Sequence, residues 1–337
     1  MDTLTTRLTR TAVWRGDRID IVEMPFPAVG RGELLVRVRL ATVCGSDLHT
    51  VTGRRESPCP SVLGHEAVGE VVDAGAGATA RVGDRVVWSV TVSCGECDRC
   101  RRGVTAKCRR VRKVGHEPFD GDWPLSGGYA THILLPAGTT SVGVPDALDD
   151  VVAAPAACAT ATVMAVAERA GEVAGRRVLV GGAGMLGTTA AAVCADRGAD
   201  VLIADWDRAR VEQATGFGAR PDDGENVDVV LDFTGSSDFI RRGLTRLDVA
   251  GTLVLAGSVT PGPLLDIDPE QVVRRWWTIT GVHNYEPRHL QQAVDFLART
   301  VDRHPWSELV TPPIPLEHIE RALQPAPGAA LRVAVSP

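Results

Sequence analysis

The rhythm of apolar and polar positions changes near residue 150. Before it, apolar residues come in short bursts. At 33–43 (ELLVRVRLATV) they partly alternate with polar ones, which predicts a half-buried strand. The stretches 64–73 and 82–87 repeat that style, with Gly and Pro between them, and no long amphipathic helix interrupts. Residues 1–150 therefore predict an irregular, mostly β domain. After 150 the pattern alternates strands with helices. An Ala-rich helix is predicted over 151–170, a strand at 177–180, a second Ala-rich helix ending at Gly198, a strand at 199–205 and a charged helix from Arg208. Strands at 227–233, 252–256 and 277–282 continue the series, the signature of a parallel sheet covered by helices on both faces. A helix from Arg288 (RHLQQAVDFLART) and a terminal strand, LRVAV, close the chain. The fold class is α/β with three segments: 1–150, 151–287 as a doubly wound parallel-sheet domain, and 288–337, too short to fold alone and expected to rejoin the first domain.

The chain has 337 residues, enough for two domains, and a net charge of −6. Such a balance offers no basic field to nucleic acid or an anionic membrane surface. No apolar run approaches the roughly 20 residues that span a bilayer. The opening MDTLTTRLTR lacks an apolar signal core and reads as a frayed tail rather than a transit peptide. These features point to a cytoplasmic protein without nucleic-acid or membrane partners.

Four of the eight cysteines crowd together at Cys94, Cys97, Cys100 and Cys108. Without a secretion signal, such clustering points to metal rather than disulfides. Four thiolates complete a tetrahedral zinc and leave no open position, so this candidate site is structural. Cys59 and Cys194 are assigned to packing.

After the strand RRVLV the chain reads Gly181-Gly182-Ala183-Gly184-Met185-Leu186-Gly187. Gly182, Gly184 and Gly187 give G-x-G-x-x-G between a strand and a helix, the dinucleotide fingerprint. The helix start, from Gly184 through Met185 and Leu186, offers free N–H groups to a pyrophosphate. Asp205, at the end of the next strand, is placed to bind the adenosine ribose and to repel a 2′-phosphate, which favours NAD over NADP. Arg208 and Arg210 nearby could offset that preference.

A second constellation is Cys44-Gly45-Ser46-Asp47-Leu48-His49 followed by Gly64-His65-Glu66. A thiolate, an imidazole and one further ligand would leave a tetrahedral position open for substrate. Together with VGDRV at 82–86, the four-cysteine lobe and GAGMLG at 182–187, these pieces resemble the medium-chain zinc-containing alcohol dehydrogenases, in order and spacing, through nearly the whole chain. The resemblance implies a GroES-like catalytic domain joined to a Rossmann domain, two zinc ions per chain, and hydride transfer between an alcohol or aldehyde and NAD. It assigns Cys44, His65 and Cys158 to a catalytic zinc. Glu66 resembles the acid that can enter the zinc shell during turnover, Asp47 the carboxylate that orients the histidine ligand, and Ser46 with His49 the proton relay. Relatives assemble as homodimers or homotetramers through the Rossmann sheet.

A narrower resemblance is carried by WSVTVSCGEC at 88–97, KVGHE at 113–117, WPLSGGYATH at 123–132, CATATV at 158–163 and GVHNYEPRHL at 281–290. These look like a subfamily associated with phosphonate metabolism, which implies a small, phosphonate-bearing, anionic substrate. Arg109, Arg110, Arg112 and Lys113 are candidates for supplying the matching positive charge, and His116 and His283 for lining the pocket. The alternatives are a polyol or cyclitol dehydrogenase, a zinc-free quinone or enoyl reductase, and a non-catalytic homologue.

Overall fold

The computed structural model describes residues 7–337, and the chain divides into two units. One holds residues up to 158 with 286–301 and 306–337, the other residues 159–285 with 302–305.

In the first unit β1 (Leu8–Trp14) pairs antiparallel with β2 (Ile19–Pro25). The strand expected at 33–43 is β3 (Leu34–Thr42), which runs into the short helix α1 (Gly45–Val51). Then β4 (Ser61–Val62) returns to β1. The long strands β5 (Glu66–Ala74) and β6 (Arg85–Val92) follow. The cysteine lobe carries α2 (Asp98–Arg101), and beyond it lie β7 (Arg112–Lys113), β8 (His132–Leu135), β9 (Thr139–Gly143) and α3 (Asp150–Ala153).

Three segments depart from the sequence expectation. Leu8 to Arg10, read as part of a frayed tail, belong to β1. There Thr9 and Thr11 are buried while Leu8 is exposed and Arg10 half-buried, and backbone pairing to β2 outweighs the polar composition. Residues 1–6 lie outside the described residues. The Ala-rich helix expected over 151–170 is broken: α3 gives way to a 3-10 turn over 154–157, and α4 (Ala159–Ala170) starts afresh after Cys158. Pro155 has no N–H for an α-helical ladder, and Cys158 adopts φ −130°. Cys59, assigned to packing, is exposed, whereas Cys194 is buried.

The second unit continues as β10 (Arg177–Gly181), α5 (Met185–Asp196), β11 (Asp200–Ala204), α6 (Arg208–Thr215) and β12 (Ala219–Pro221). Next come β13 (Val227–Asp232), α7 (Ser237–Arg246), β14 (Leu247–Leu255), α8 (Pro269–Arg275) and β15 (Thr278–Gly281). All its pairings are parallel, in the order β12-β11-β10-β13-β14-β15. Numbered within the unit this is 3-2-1-4-5-6, the doubly wound dinucleotide-binding sheet. The short β12 and the polar-rich α7 and α8 escaped the sequence pattern because none has a run of apolar residues.

The chain then returns to the first unit through α9 (Pro287–Thr300), β16 (Ile314–Pro315), α10 (Ile319–Ala322) and β17 (Ala334–Ser336). Its eight-stranded sheet follows β16-β17-β3-β5-β6-β7, with β8 on β3 and β9 on β6. Trp88, Trp123, Tyr129 and Ile133 fill its core, and Leu179, Leu202, Val230 and Phe239 that of the second unit. No single helix among the described residues is long and apolar enough to cross a membrane.

Packing of α5 onto β10 depends on Gly187, where an added Cβ would lie 1.6 Å from the Gly182 carbonyl oxygen. Gly187→Ala is expected to lower stability by about 1–3 kcal/mol through overpacking, read as the urea midpoint of unfolding.

Candidate active site and cofactor sites

The ligand atoms of Cys44, His65 and Cys158 all lie within 4.8 Å of one another. Each arrives on a different element. Cys44 is the N-cap of α1, His65 sits in the turn before β5, and Cys158 marks the break between α3 and α4. Asp47 is the tie. Its carboxylate is completely buried, accepts from the Cys44 N–H and the Tyr129 hydroxyl at 3.0 Å each, and lies 3.4 Å from both the Gly64 nitrogen and His65 Nδ1. An acid at the third helical position reaching back to the N-cap N–H closes a capping box, so one side chain both starts α1 and fixes the imidazole. With Nδ1 facing a carboxylate, Nε2 is left to face the trio, the usual arrangement of a metal-bound histidine. The Ser46 hydroxyl lies 3.1 Å from that Nε2.

The trio's chemistry fits a zinc ion. Cys158 beside it, helped by Arg332 and His65 against burial, holds the Cys44 thiol well below its usual range. Cys44 and burial push the Cys158 thiol well above its own. A divalent cation at the trio would favour the thiolate form of both sulfurs. Burial alone would lower the His65 pKa, but Asp47 and Cys44 raise it.

Glu66 sits in a buried ion pair. Both carboxylate oxygens are engaged by Arg332, at 2.8 and 3.2 Å, and the Thr42 hydroxyl donates to one of them at 2.9 Å. Arg332 also reaches Cys44 Sγ at 3.7 Å. His49 Nδ1 is buried without a hydrogen-bond partner, and the ring lines an open cavity of about 650 Å³ with Leu48, Arg54 and Trp14. His116, one of the two further pocket candidates, stands with its ring 5.2 Å from that of His65. Burial, with His65 and Arg55 acting in the same direction, brings its pKa down to about 3. His283 belongs to the second unit.

In the cysteine lobe the sulfur separations are 3.4 Å (Cys97–Cys100 and Cys94–Cys108), 3.9 Å (Cys97–Cys108) and 4.0 Å (Cys94–Cys100). Zinc–sulfur bonds of about 2.3 Å in a tetrahedron put sulfurs about 3.8 Å apart, whereas a disulfide would bring a pair to about 2.05 Å. Backbone N–H groups of Cys94 and Arg110 donate to Cys108 Sγ at 3.3 Å each. The lobe therefore fits one closed cation. The arginine run expected to supply charge for an anionic substrate is occupied locally. Arg109 binds Asp98 with two nitrogens, Arg110 pairs with Glu96, and Arg112 meets Glu117 and Asp122. Each of these three side chains thus has a carboxylate partner close in sequence.

In the second unit Gly182 turns at φ +90°, and its N–H donates to the Ala204 carbonyl. Gly184, the N-cap of α5, has no side-chain cap and nothing within 4 Å of an added Cβ. The fingerprint thus encloses an open place against a helix start, where a pyrophosphate fits. Met185 and Leu186 follow as the first turn of α5. Asp205 bridges from β11, accepting from the Ala183 N–H at 2.6 Å and the Asp207 N–H at 2.9 Å. Arg210 is drawn to Asp207 at 3.6 Å. A further carboxylate, Asp232, lies buried at the end of β13 and orders the next loop through Thr234 and Gly235.

The same layout recurs in known proteins. Residues 30–146 match the alcohol dehydrogenase GroES-like domain, and residues 185–299 the zinc-binding dehydrogenase domain. The L-threonine 3-dehydrogenase of Edwardsiella ictaluri is 31% identical over 291 residues, 79% of this chain and 81% of that one. The chain belongs to the zinc-binding alcohol dehydrogenase family. Among solved structures, an alcohol dehydrogenase from Thermotoga maritima superposes with a TM-score of 0.90 at 26% identity, covering 98% of this chain and all of that one. A cobalt- and zinc-bound thermostable alcohol dehydrogenase from Pyrobaculum aerophilum gives 0.84 at 27% identity, covering 98% of this chain and 100% of that one. This dehydrogenase is accordingly an alcohol-type oxidoreductase that uses a nicotinamide cofactor.

Sequence reasoning missed Tyr129, Thr42 and Arg332 at the dehydrogenase's metal centre. Arg332 carried no local signal, being 266 residues from Glu66. Their side chains are 7% and 0% exposed, so removing one partner leaves a buried charge. Arg332→Met is expected to destabilise the protein by about 3–5 kcal/mol, with much of the loss recovered in Arg332→Met/Glu66→Gln, measured by urea unfolding as a double-mutant cycle. Cys100→Ser should release one bound zinc per chain and lower thermal stability, read by metal analysis and calorimetry.

Proposed function

We propose that the dehydrogenase oxidises a small alcohol, or reduces the matching carbonyl, at a zinc held by Cys44, His65 and Cys158, with NAD as hydride carrier. The observation that carries this reading is the convergence of three donors, and among the described residues only three, on one point. A tetrahedral ion so held keeps one position open. A zinc-free reductase has no use for such a trio, and a non-catalytic homologue has no use for an open fingerprint turn in the same chain.

Bound zinc would supply Lewis acidity, making a hydroxyl in its open position much more acidic. The nicotinamide would supply the hydride chemistry. The remaining work falls to this chain's own side chains. Ser46, whose hydroxyl lies beside His65 Nε2, accepts the proton from the substrate hydroxyl. His49 stands one turn further along α1 on the same face, with a free Nδ1 to pass that proton on toward the open cavity it lines. Asp47 keeps His65 oriented. Arg332 holds Glu66 as an ion pair, so the Glu66 carboxylate does not compete for the open position. The four-thiolate lobe holds a second, structural zinc.

On the nucleotide side, the Asp205 carboxylate supports NAD over NADP, since a 2′-phosphate beside it would meet like charge. The pairing of Arg210 with Asp207 reduces what that arginine can offer a phosphate.

Cys44→Ala should lose one zinc per chain and at least about 10³-fold in kcat while unfolding at a similar temperature, since the lobe and both cores stay intact. Full activity in that variant would exclude the proposed centre. Asp205→Ala should narrow the NAD-to-NADP ratio of kcat/KM by about tenfold or more, the worth of one charged hydrogen-bond site. An unchanged ratio in steady-state assays would reassign the cofactor preference to other residues.

A further inference from the structure

The loops that follow β13 and β14 are tied to the fingerprint turn, and Asp232 lies at the centre of the ties. Asp232 ends β13 and pairs in the parallel register with Gly181, the last residue of β10. In the order β12-β11-β10-β13-β14-β15, β10 and β13 are the central pair where the winding reverses. Such sheets bind their ligands at that switch point, outside the carboxyl ends of the strands. Asp232 has no solvent exposure. Its Oδ1 accepts from the Thr234 N–H at 2.9 Å, the Thr234 hydroxyl at 2.6 Å and the Gly235 N–H at 3.2 Å, and Oδ2 shares that last donor at 3.2 Å. Its backbone carbonyl accepts from the Ala256 and Gly257 N–H groups at 2.9 Å each.

The two loops interlock through contacts too close for a side chain. Gly235 has φ +64°, and a Cβ on Gly257 would lie 2.3 Å from the Gly235 nitrogen. The Phe233 N–H donates to the Gly181 carbonyl at 3.0 Å, and a Cβ on Gly182 would meet the Thr234 methyl at 3.2 Å. The Thr234 hydroxyl also accepts from Ser236, the N-cap of α7, at 2.9 Å. Among the described residues no cation pairs with Asp232. Burial pushes its pKa above the ordinary carboxylate value, and donors from Thr234, Gly235 and Gly257 act against that rise. A buried acid without a counter-ion is costly, so its donors must be worth keeping. Only a carboxylate accepts on both oxygens and donates nothing; an amide here would turn N–H groups against N–H groups.

We propose that Asp232 is a positioning residue for the nicotinamide cofactor. By clamping residues 233–236 and 256–258 against the fingerprint turn, it sets one wall of the dinucleotide site before the cofactor arrives. Asp205 and Asp232 stand at the ends of the two strands that flank β10. Each accepts from the N–H two residues further on, at Asp207 and Thr234, so the turn is braced from both sides. A wall already ordered spares binding the entropy of ordering it. Loosening it therefore weakens cofactor affinity and leaves turnover at saturating cofactor nearly unchanged. The inference rests on the reading of the fingerprint as a nicotinamide-dinucleotide site.

The test measures NADH binding to the zinc-loaded full chain by nicotinamide fluorescence, with the urea midpoint of each variant beside it. Asp232→Asn should raise the Kd by about tenfold, the worth of one charge-assisted hydrogen bond. Thr234→Val keeps a methyl group against Gly182 and removes only the hydroxyl, so it should raise the Kd by about threefold. It decides the matter should Asp232→Asn fail to fold. Asp200→Asn is the control. It weakens the pairing with Arg177 and Arg220 at the amino end of β11, and should lower the urea midpoint with the Kd unchanged. A Kd unmoved in the folded Asp232 and Thr234 variants, or an equal rise in Asp200→Asn, overturns the positioning role and leaves the dehydrogenase reading intact. No NADH binding by the unaltered chain would instead overturn the dehydrogenase reading, and the positioning role with it.

Discussion

A single buried carboxylate, Asp47, is the constraint on which the metal centre depends. A charge with no solvent exposure is tolerated only when polar groups converge on it. Here they come from three separate pieces of chain: the start of α1, the turn at Gly64 and His65, and Tyr129. Satisfying the carboxylate and positioning Cys44 beside His65 are therefore one event. Burial works against ionisation of Asp47, and the positive side of His65 works for it. A cation at the trio would act in the same direction, so metal binding and the integrity of this corner of the fold reinforce each other.

Charge balance explains the second buried carboxylate. Two thiolates already neutralise a divalent cation, and Asp47 adds a further negative charge behind the imidazole. Glu66 next to His65 would overload the site. Arg332, brought back beside β3 by the C-terminal strand, offsets it and donates toward Cys44 as well. An arrangement with Glu66 and Arg332 both replaced by apolar groups is conceivable on stability grounds, because buried pairs gain little over packed hydrocarbon. What the pair adds is a link from the C-terminal strand to the start of β5 and to Cys44.

Legibility in the sequence followed the range of the interaction. Cys94, Cys97, Cys100 and Cys108 bind within one short loop, so their spacing alone described the lobe. The fingerprint glycines act across one turn and were equally plain, and parallel strands announced themselves by apolar runs. Cys158 is intermediate. The sequence placed it in a continuous helix, whereas the backbone breaks there, and only the break lets its sulfur leave the helix line to meet Cys44 and His65. Arg332 was invisible because its partners are distant in sequence and its neighbours LRVAV read simply as a strand. The basic run at 109–112 shows the opposite side of the same rule: composition shows cations but not the carboxylates folded against them.

The two cysteine-bearing sites use the same donor chemistry to opposite ends, and the difference lies in what occupies the fourth direction. In the lobe, a fourth sulfur closes the tetrahedron and backbone N–H groups cover the thiolates, leaving no face for a ligand. At the trio the Ser46 hydroxyl stands beside His65 Nε2, and Arg55 beside His116 Nε2. A serine hydroxyl is a weak zinc donor until deprotonated, and His116 Nε2 is already accepting from Arg55. The trio thus differs from the lobe by one donor, which for a tetrahedral ion is the difference between a closed site and one with a position to spare.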